Sequence, residues 1–260
     1  MKTLILAGGR GSRISEESHL RPKPMIEINN KPLIWHIMKI YSFYGINDFI
    51  ILAGYKSSII VDYFLNYTHY NSDFTIDISN NDITFHTNKS ELWKVTVLDT
   101  GLETMTGGRI KRAYEYIKDD PFFCLTYGDG LANIDINTLV QFHKSNNVLA
   151  TLTAVKTPPR FGSLEIINNK VSSFKEKPID QQNFINGGFF VLSPKVINYI
   201  EGDQTAWEEG PLQSLTHDKQ VAAYKHKGFW QPMDTMRDKE LLETLSKKGL
   251  PPWFNFEADR

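Results

Sequence analysis

A single cysteine, Cys124, occurs in 260 residues, so no intrachain disulfide forms and a reducing compartment is the expected setting. Its neighbours in FFCLTYGDG read as a buried strand, which makes it a packed thiol rather than a nucleophile. Long apolar runs are also scarce, and no window approaches the roughly 18 residues that span a bilayer. The opening run TLILA is too short for a secretory signal and is followed at once by glycine and arginine. Charge of one sign is missing as well. Lys and Arg number 29 against 30 Asp and Glu, so nothing draws the chain as a whole to nucleic acid or to an anionic membrane. A cytoplasmic protein with neither of those partners is expected, and any anion it binds must be captured by local geometry.

What the chain does have is 41% hydrophobic residues, 12% of the total being aromatic, and a length that buries about three quarters of its unfolded surface. Strand-like runs at 3–7, 49–53, 95–98, 122–127 and 149–155 alternate with helical patterns, which predicts an α/β fold with a mainly parallel sheet flanked by helices. Between the first two runs, Leu33, Ile37, Met38, Tyr41 and Tyr44 recur at helical spacing, with Pro32 opening the helix and Gly45 closing it. Further helices are expected over 109–118, with Ile110, Ala113, Tyr114 and Ile117 on one face, and over 136–146. After about residue 156 the texture shifts to short strands, SLEII, KVSSF and GGFFVL, the first two joined by Asn168-Asn169 as a hairpin. Ser193-Pro194 reads as the cap of another helix, and 236–249 as a last one before the tail PPWFNF, which packs on a neighbour or on the chain itself. The reading is one domain over 1–260, in two parts that meet near residue 155, the second an antiparallel elaboration.

The densest signal is LAGGRGSRI at 6–14, directly after the first strand and hence at the carboxyl edge of a parallel sheet, where such folds bind ligands. Two common phosphate loops fail here. G-x-G-x-x-G counted from Gly9 needs glycine or alanine where Ile14 stands, and G-x-x-x-x-G-K-[ST] counted from Gly8 needs glycine where Arg13 stands. Three glycines alone make only a turn. The company matters more: Arg10 and Arg13 lie in the loop, and HLRPKPM adds Arg21 and Lys23, the latter held extended by Pro22 and Pro24. A glycine cradle and several positioned cations at one strand end suit a triphosphate.

LAGGRGSRI followed by RPKPM resembles the signature of the sugar-phosphate nucleotidyltransferases, and TGLETMTGGR, TYGDG, RFGSLEI, FKEKP, INGGFFVLSP and FWQPMDTMRDK extend the likeness over nearly the whole chain. TMTGGR with WQPMDT points to the cytidylyl branch. Ile14, where leucine is usual, and Ser163, where that branch often has alanine, are departures. The resemblance implies a Rossmann-like, GT-A-like sheet, a nucleotide-binding part over about 1–155 and a sugar-binding part over about 156–260. It implies attack of a sugar 1-phosphate, glucose 1-phosphate being the expected acceptor, on the α-phosphorus of CTP with release of pyrophosphate. It also implies the site: Leu6, Ala7, Gly8, Gly9, Arg10, Gly11, Ser12, Arg13, Lys23, Thr104, Arg109 and Gly128 around the nucleotide, Arg13 and Lys23 as the catalytic cations, and Asp129 with Asp234 on Mg²⁺. Arg109 is assigned to the O2 and N3 acceptors of cytosine, and Glu176, Lys177, Asn186 and Gly187 to the sugar phosphate. A homo-oligomer is expected on the same ground.

Residue by residue, plainer readings stand beside these. Gly-Asp-Gly is an ordinary turn, Lys23 a surface lysine between prolines, Gly107-Gly108 a helix entrance. His36 and His143 fall in helical patterns and read as structural or solvent-facing, and no histidine spacing suggests a metal. Three other functions remain open: transfer to a different sugar or polyol phosphate, a noncatalytic nucleotide sensor, and a glycosyltransferase, whose usual D-x-D is GDG here.

Overall fold

The alternating apolar runs become a seven-stranded sheet in a computed structural model that describes residues 1–156, 163–167, 170–175 and 184–255. Its strands are β1 (Lys2–Ala7), β2 (Asp48–Ala53), β3 (Lys94–Asp99), β4 (Phe123–Tyr127), β5 (Ala150–Lys156), β6 (Phe184–Leu192) and β7 (Val221–Lys225), in the spatial order β7-β5-β6-β4-β1-β2-β3. Four pairings are parallel, and only β6 runs against its neighbours β5 and β4. The mainly parallel architecture read from the sequence is therefore present. β1, β2 and β4 are apolar at nearly every position because both of their faces are covered. Ile5, Ala7, Ile51 and Cys124 face helix α1 (Leu33–Phe43) through Ile34, Ile37, Met38 and Tyr41. Leu4, Leu6, Leu52 and Leu125 face Ile110, Ile117 and Trp207 on the other side. Burial pushes the Cys124 thiol up to about 12, which suits a packing role.

Local expectations hold with shifts that have physical causes. Pro32 is the extended residue before α1 rather than its first turn, and Gly45 leaves the helix end with a positive φ of 77°. Helix α2 (Thr106–Arg112) begins three residues earlier than expected, because Gly107 and Gly108 continue it. A Cβ on Gly107 would stand 2.7 Å from the Thr205 carbonyl, so glycine there lets the helix press on the 203–205 segment. Tyr114 departs from the expected apolar face and is 36% exposed, since the helix breaks at Ala113 before a separate turn at Tyr114–Ile117. Helix α3 (Ile136–Asn146) has the expected bounds and an Asp135 side-chain cap, and α4 (Met236–Ser246) opens on a Thr235–Asp238 capping box.

Ser193 does cap a helical segment, but Pro194–Tyr199 is a 3₁₀ helix with i to i+3 bonds, not an α-helix. The strands Ser163–Ile167 and Lys170–Lys175 pair antiparallel as expected, while the turn at 168 and 169 lies outside the described residues. GGFFVL is the end of the nine-residue β6 inside the main sheet. A further hairpin, Phe74–Asp77 with Asp82–Phe85, had no sequence reading at all. No described helix is long and apolar enough to cross a membrane.

The tail packs on its own chain. Trp253 is fully buried, edge-on to His36, and donates its indole N–H to His36 Nδ1 at 3.3 Å. The other ring nitrogen of His36 donates to the Ile28 carbonyl at 2.9 Å, so this histidine is neutral and structural. Burial pulls its pKa down from 6.5 to about 4. The unfolded chain takes up a proton below 6.5 and the folded chain only near 4, so folding stability falls as pH drops through that window. The loss reaches about 3 kcal/mol at its full extent. His36→Gln is expected to be less stable at neutral pH and to show a flatter decline in denaturation free energy over the same acid range; an unaltered slope contradicts the assignment.

Candidate active site

The glycine loop leaves β1 at its carboxyl edge and turns through Gly11, whose φ of +64° is left-handed, into a single turn at Ser12–Ile14. Part of its bare backbone serves the protein itself. The Arg109 guanidinium lies on Gly8, where a Cβ would stand 2.1 Å from Nη1, and against Gly54, where the distance would be 2.4 Å. Arg109 donates to the carbonyls of Gly8 and Ala53 at 3.1 Å each, to Thr100 Oγ1 at 2.6 Å and to the Gly101 carbonyl at 2.8 Å. It is buried, and burial, with Arg112 nearby, lowers its pKa against the pull of Asp99. Arg109 therefore ties the glycine loop to the ends of β2 and β3. All of these bonds come from Nη1 and Nη2. Gly8→Ala is expected to displace this guanidinium and to destabilise the protein by about 2–4 kcal/mol, the loss of one or two charge-assisted bonds. Chemical denaturation reads the effect, and a change below the error of the method contradicts it.

Leu6, Ala7, Gly8, Gly9, Gly11, Ser12, Arg13, Lys23, Thr104, Arg109, Gly128 and Asp129 line one cleft of about 390 Å³, closed by Asp234. Of the expected nucleotide residues, Arg10 alone is not in its lining, and its guanidinium pairs with Glu103 at the exposed rim. Gly128 packs without a Cβ because one would meet the Leu6 carbonyl and Pro24 Cγ at 2.7 Å each.

At one end of this cleft four charges from three distant segments converge. Lys23, 9% exposed, donates to Asp129 Oδ2 at 2.8 Å and to Asp234 Oδ1 at 2.7 Å across sequence separations of 106 and 211 residues. Arg13 Nη1 stands 3.1 Å from the other oxygen of Asp234. Burial by itself would push the Lys23 ammonium down, but Asp129 and Asp234 outweigh it and the pKa is raised, so the lysine is charged at every physiological pH. Pro22 and Pro24 fix the backbone on either side, and Lys23 opens a single 3₁₀ turn. The plainer reading of Lys23 as a surface lysine is thus excluded by its burial.

A second cleft of about 250 Å³ shares Arg13, Tyr127, Asp129 and Asp234 with the first and adds Asn186, Gly187, Trp230 and Pro232. Asp129 and Asp234 reach this wall because the short strands Gly130–Ala132 and Trp230–Pro232 pair directly beside them. Trp230 Nε1 donates to the Gly187 carbonyl at 2.8 Å. Of the expected sugar-side residues, Asn186 and Gly187 are here, whereas Glu176 and Lys177 lie outside the described residues. Sequence reasoning gave no role to Tyr127, Thr106, Glu208 or Trp230. Tyr127 carried a signal, standing just before Gly128-Asp129 at the end of a strand; Glu208 carried none.

The nucleotidyl transferase family model matches residues 2–243. Glucose-1-phosphate cytidylyltransferase of Salmonella typhimurium is 52% identical over 99% of this chain and 100% of its own length. A probable glucose-1-phosphate cytidylyltransferase of Bacillus subtilis is 42% identical over 97% of this chain and 99% of its own. Among solved structures, HddC of Yersinia pseudotuberculosis superposes with a TM-score of 0.68 at 24% identity, covering 94% of this chain and 98% of that one, a likeness of fold.

Proposed function

We propose that this chain, which belongs to the nucleotidyl transferase family, transfers CMP from CTP to α-D-glucose 1-phosphate, forming CDP-glucose and pyrophosphate. The observation that supports the reading is the cluster of Lys23, Arg13, Asp129 and Asp234 in the first cleft, three of which, Arg13, Asp129 and Asp234, also line the second; we assign one cleft to each substrate. A phosphate oxygen of the acceptor attacks the α-phosphorus, the bond to the β-phosphate oxygen breaks, and pyrophosphate leaves with that electron pair. Both reactants are anions, so the protein's work is to neutralise charge and align them rather than to supply a nucleophile. Lys23 and Arg13 donate to phosphate oxygens as negative charge builds in the transition state. Asn186 and Gly187, which line the second cleft, meet the sugar.

Asp129 and Asp234 suit Mg²⁺. Among the described residues no group of three or more acidic, histidine or cysteine side chains converges, so there is no all-protein metal cage. Two carboxylates completed by substrate phosphates and water are the usual Mg²⁺ set, and the ammonium of Lys23 between them shows that this gap favours positive charge. Asp129 and Asp234 would hold the ion, which would supply charge neutralisation of the triphosphate and make its α-phosphorus a better electrophile. Lys23 then exchanges carboxylate oxygens for phosphate oxygens.

The test is to give the purified protein each nucleoside triphosphate with Mg²⁺ and a panel of sugar and polyol phosphates, measuring pyrophosphate and identifying the product. CDP-glucose from CTP and glucose 1-phosphate is the expected result. Turnover with a different acceptor only, or CTP binding without any product, contradicts it.

A further inference from the structure

Tyr127 ends β4 between the two clefts and lines both. Its hydroxyl donates to Glu208 Oε1 at 2.6 Å, and the other oxygen of that carboxylate accepts from Thr106 Oγ1 at 2.7 Å, anchored in turn by the Trp207 N–H at 2.9 Å. With its proton committed to Glu208, the Tyr127 oxygen accepts from Asn186 Nδ2 at 3.2 Å, while Asn186 Oδ1 accepts the Gly188 N–H at 2.9 Å. Both ends of the Asn186 amide are thereby set. An amide nitrogen carries two hydrogens, so one is spent on Tyr127 and one is left for a ligand oxygen in the acceptor cleft.

We propose that Glu208 is a positioning residue for the acceptor: acting through Tyr127, it orients the Asn186 amide so that its remaining N–H donates to a hydroxyl of the sugar. Glu208 touches neither substrate in this scheme. The inference rests on the acceptor reading of the second cleft, and its consequence is selective. Loss of Glu208 loosens sugar binding and leaves CTP binding nearly untouched, because Thr106 and Tyr127 keep their places in the backbone of α2 and β4.

The experiment compares wild type, Glu208→Ala, Glu208→Gln, Tyr127→Phe and the double variant Glu208→Ala/Tyr127→Phe. Glu208→Ala and Tyr127→Phe are each expected to raise KM for glucose 1-phosphate about tenfold, the worth of one hydrogen bond, with KM for CTP within about twofold. Glu208→Gln, which retains one acceptor oxygen, is expected to recover part of the loss. The double variant is expected to be no worse than either single one, since both break the same chain. Hydrogen exchange on the protein without substrates supplies a second readout: the Gly188 amide is expected to exchange faster in Glu208→Ala and Tyr127→Phe. Equal rises in both KM values, multiplying effects in the double variant, or unchanged Gly188 exchange overturn the proposal. If wild type itself does not use glucose 1-phosphate, the acceptor reading falls, and the exchange result alone decides whether Glu208 sets Asn186.

Discussion

Lys23→Ala is expected to lower kcat about 100-fold or more, the effect of removing one preorganised donor from developing transition-state charge. Three observations set that magnitude. The ammonium is buried, held between Asp129 and Asp234, and carried on backbone fixed by prolines on both sides. Such a group needs little reorganisation when a phosphate replaces a carboxylate as its partner, and it acts where water screens weakly. Lys23→Arg is not a conservative rescue, because a planar fork does not fit a gap that a point charge spans between two carboxylates. The alanine variant also leaves those carboxylates facing each other without their cation, so Mg²⁺ is expected to raise its Tm more than it raises that of wild type. Steady-state kinetics and thermal melts with and without Mg²⁺ check both parts. A kcat within twofold of wild type reduces Lys23 to a structural ion pair.

Asp234→Asn carries the second large effect, a fall in kcat of about 100- to 1,000-fold with the Mg²⁺ concentration for half-maximal rate raised about tenfold or more. Asp234 accepts from Lys23 with one oxygen and faces Arg13 with the other, so its charge orients both cations in addition to the metal-holding role proposed for it. The two contacts differ in weight. Arg13 is 76% exposed, and its pairing with Asp234 contributes little to folding. The stability cost therefore comes through Lys23, and the Arg13 contact registers in catalysis. Initial rates across a Mg²⁺ titration separate these consequences: a reduced kcat with unchanged Mg²⁺ dependence assigns Asp234 to orienting cations alone.

The sequence carried the sheet because buried parallel strands are apolar on both faces, and runs such as FIILA at 49–53 have no other reading at that length. It carried the residues of the charged cluster as motifs, but not their meeting: no local pattern tells that Lys23 spans to Asp129 and Asp234 over 106 and 211 positions. Gly8 was legible as bare backbone and its occupant was not, since Arg109 reaches it from α2, 101 residues away. The Phe74–Asp77 and Asp82–Phe85 hairpin escaped because its strands are short and exposed throughout, with no core to impose a long pattern. Glu208 was invisible for a different reason, as a carboxylate that acts by orienting a tyrosine belongs to no spacing rule.

One triphosphate is expected to meet all four charges, Arg13, Lys23, Asp129 and Asp234, in the first cleft. A crystal structure with Mg²⁺ and a non-reacting CTP analogue tests it most directly. The predicted result has the α-phosphate within hydrogen-bond reach of Arg13 and Lys23, and the metal bound by Asp129 and Asp234 together. A triphosphate seated away from Lys23, or a metal held without both aspartates, would contradict it.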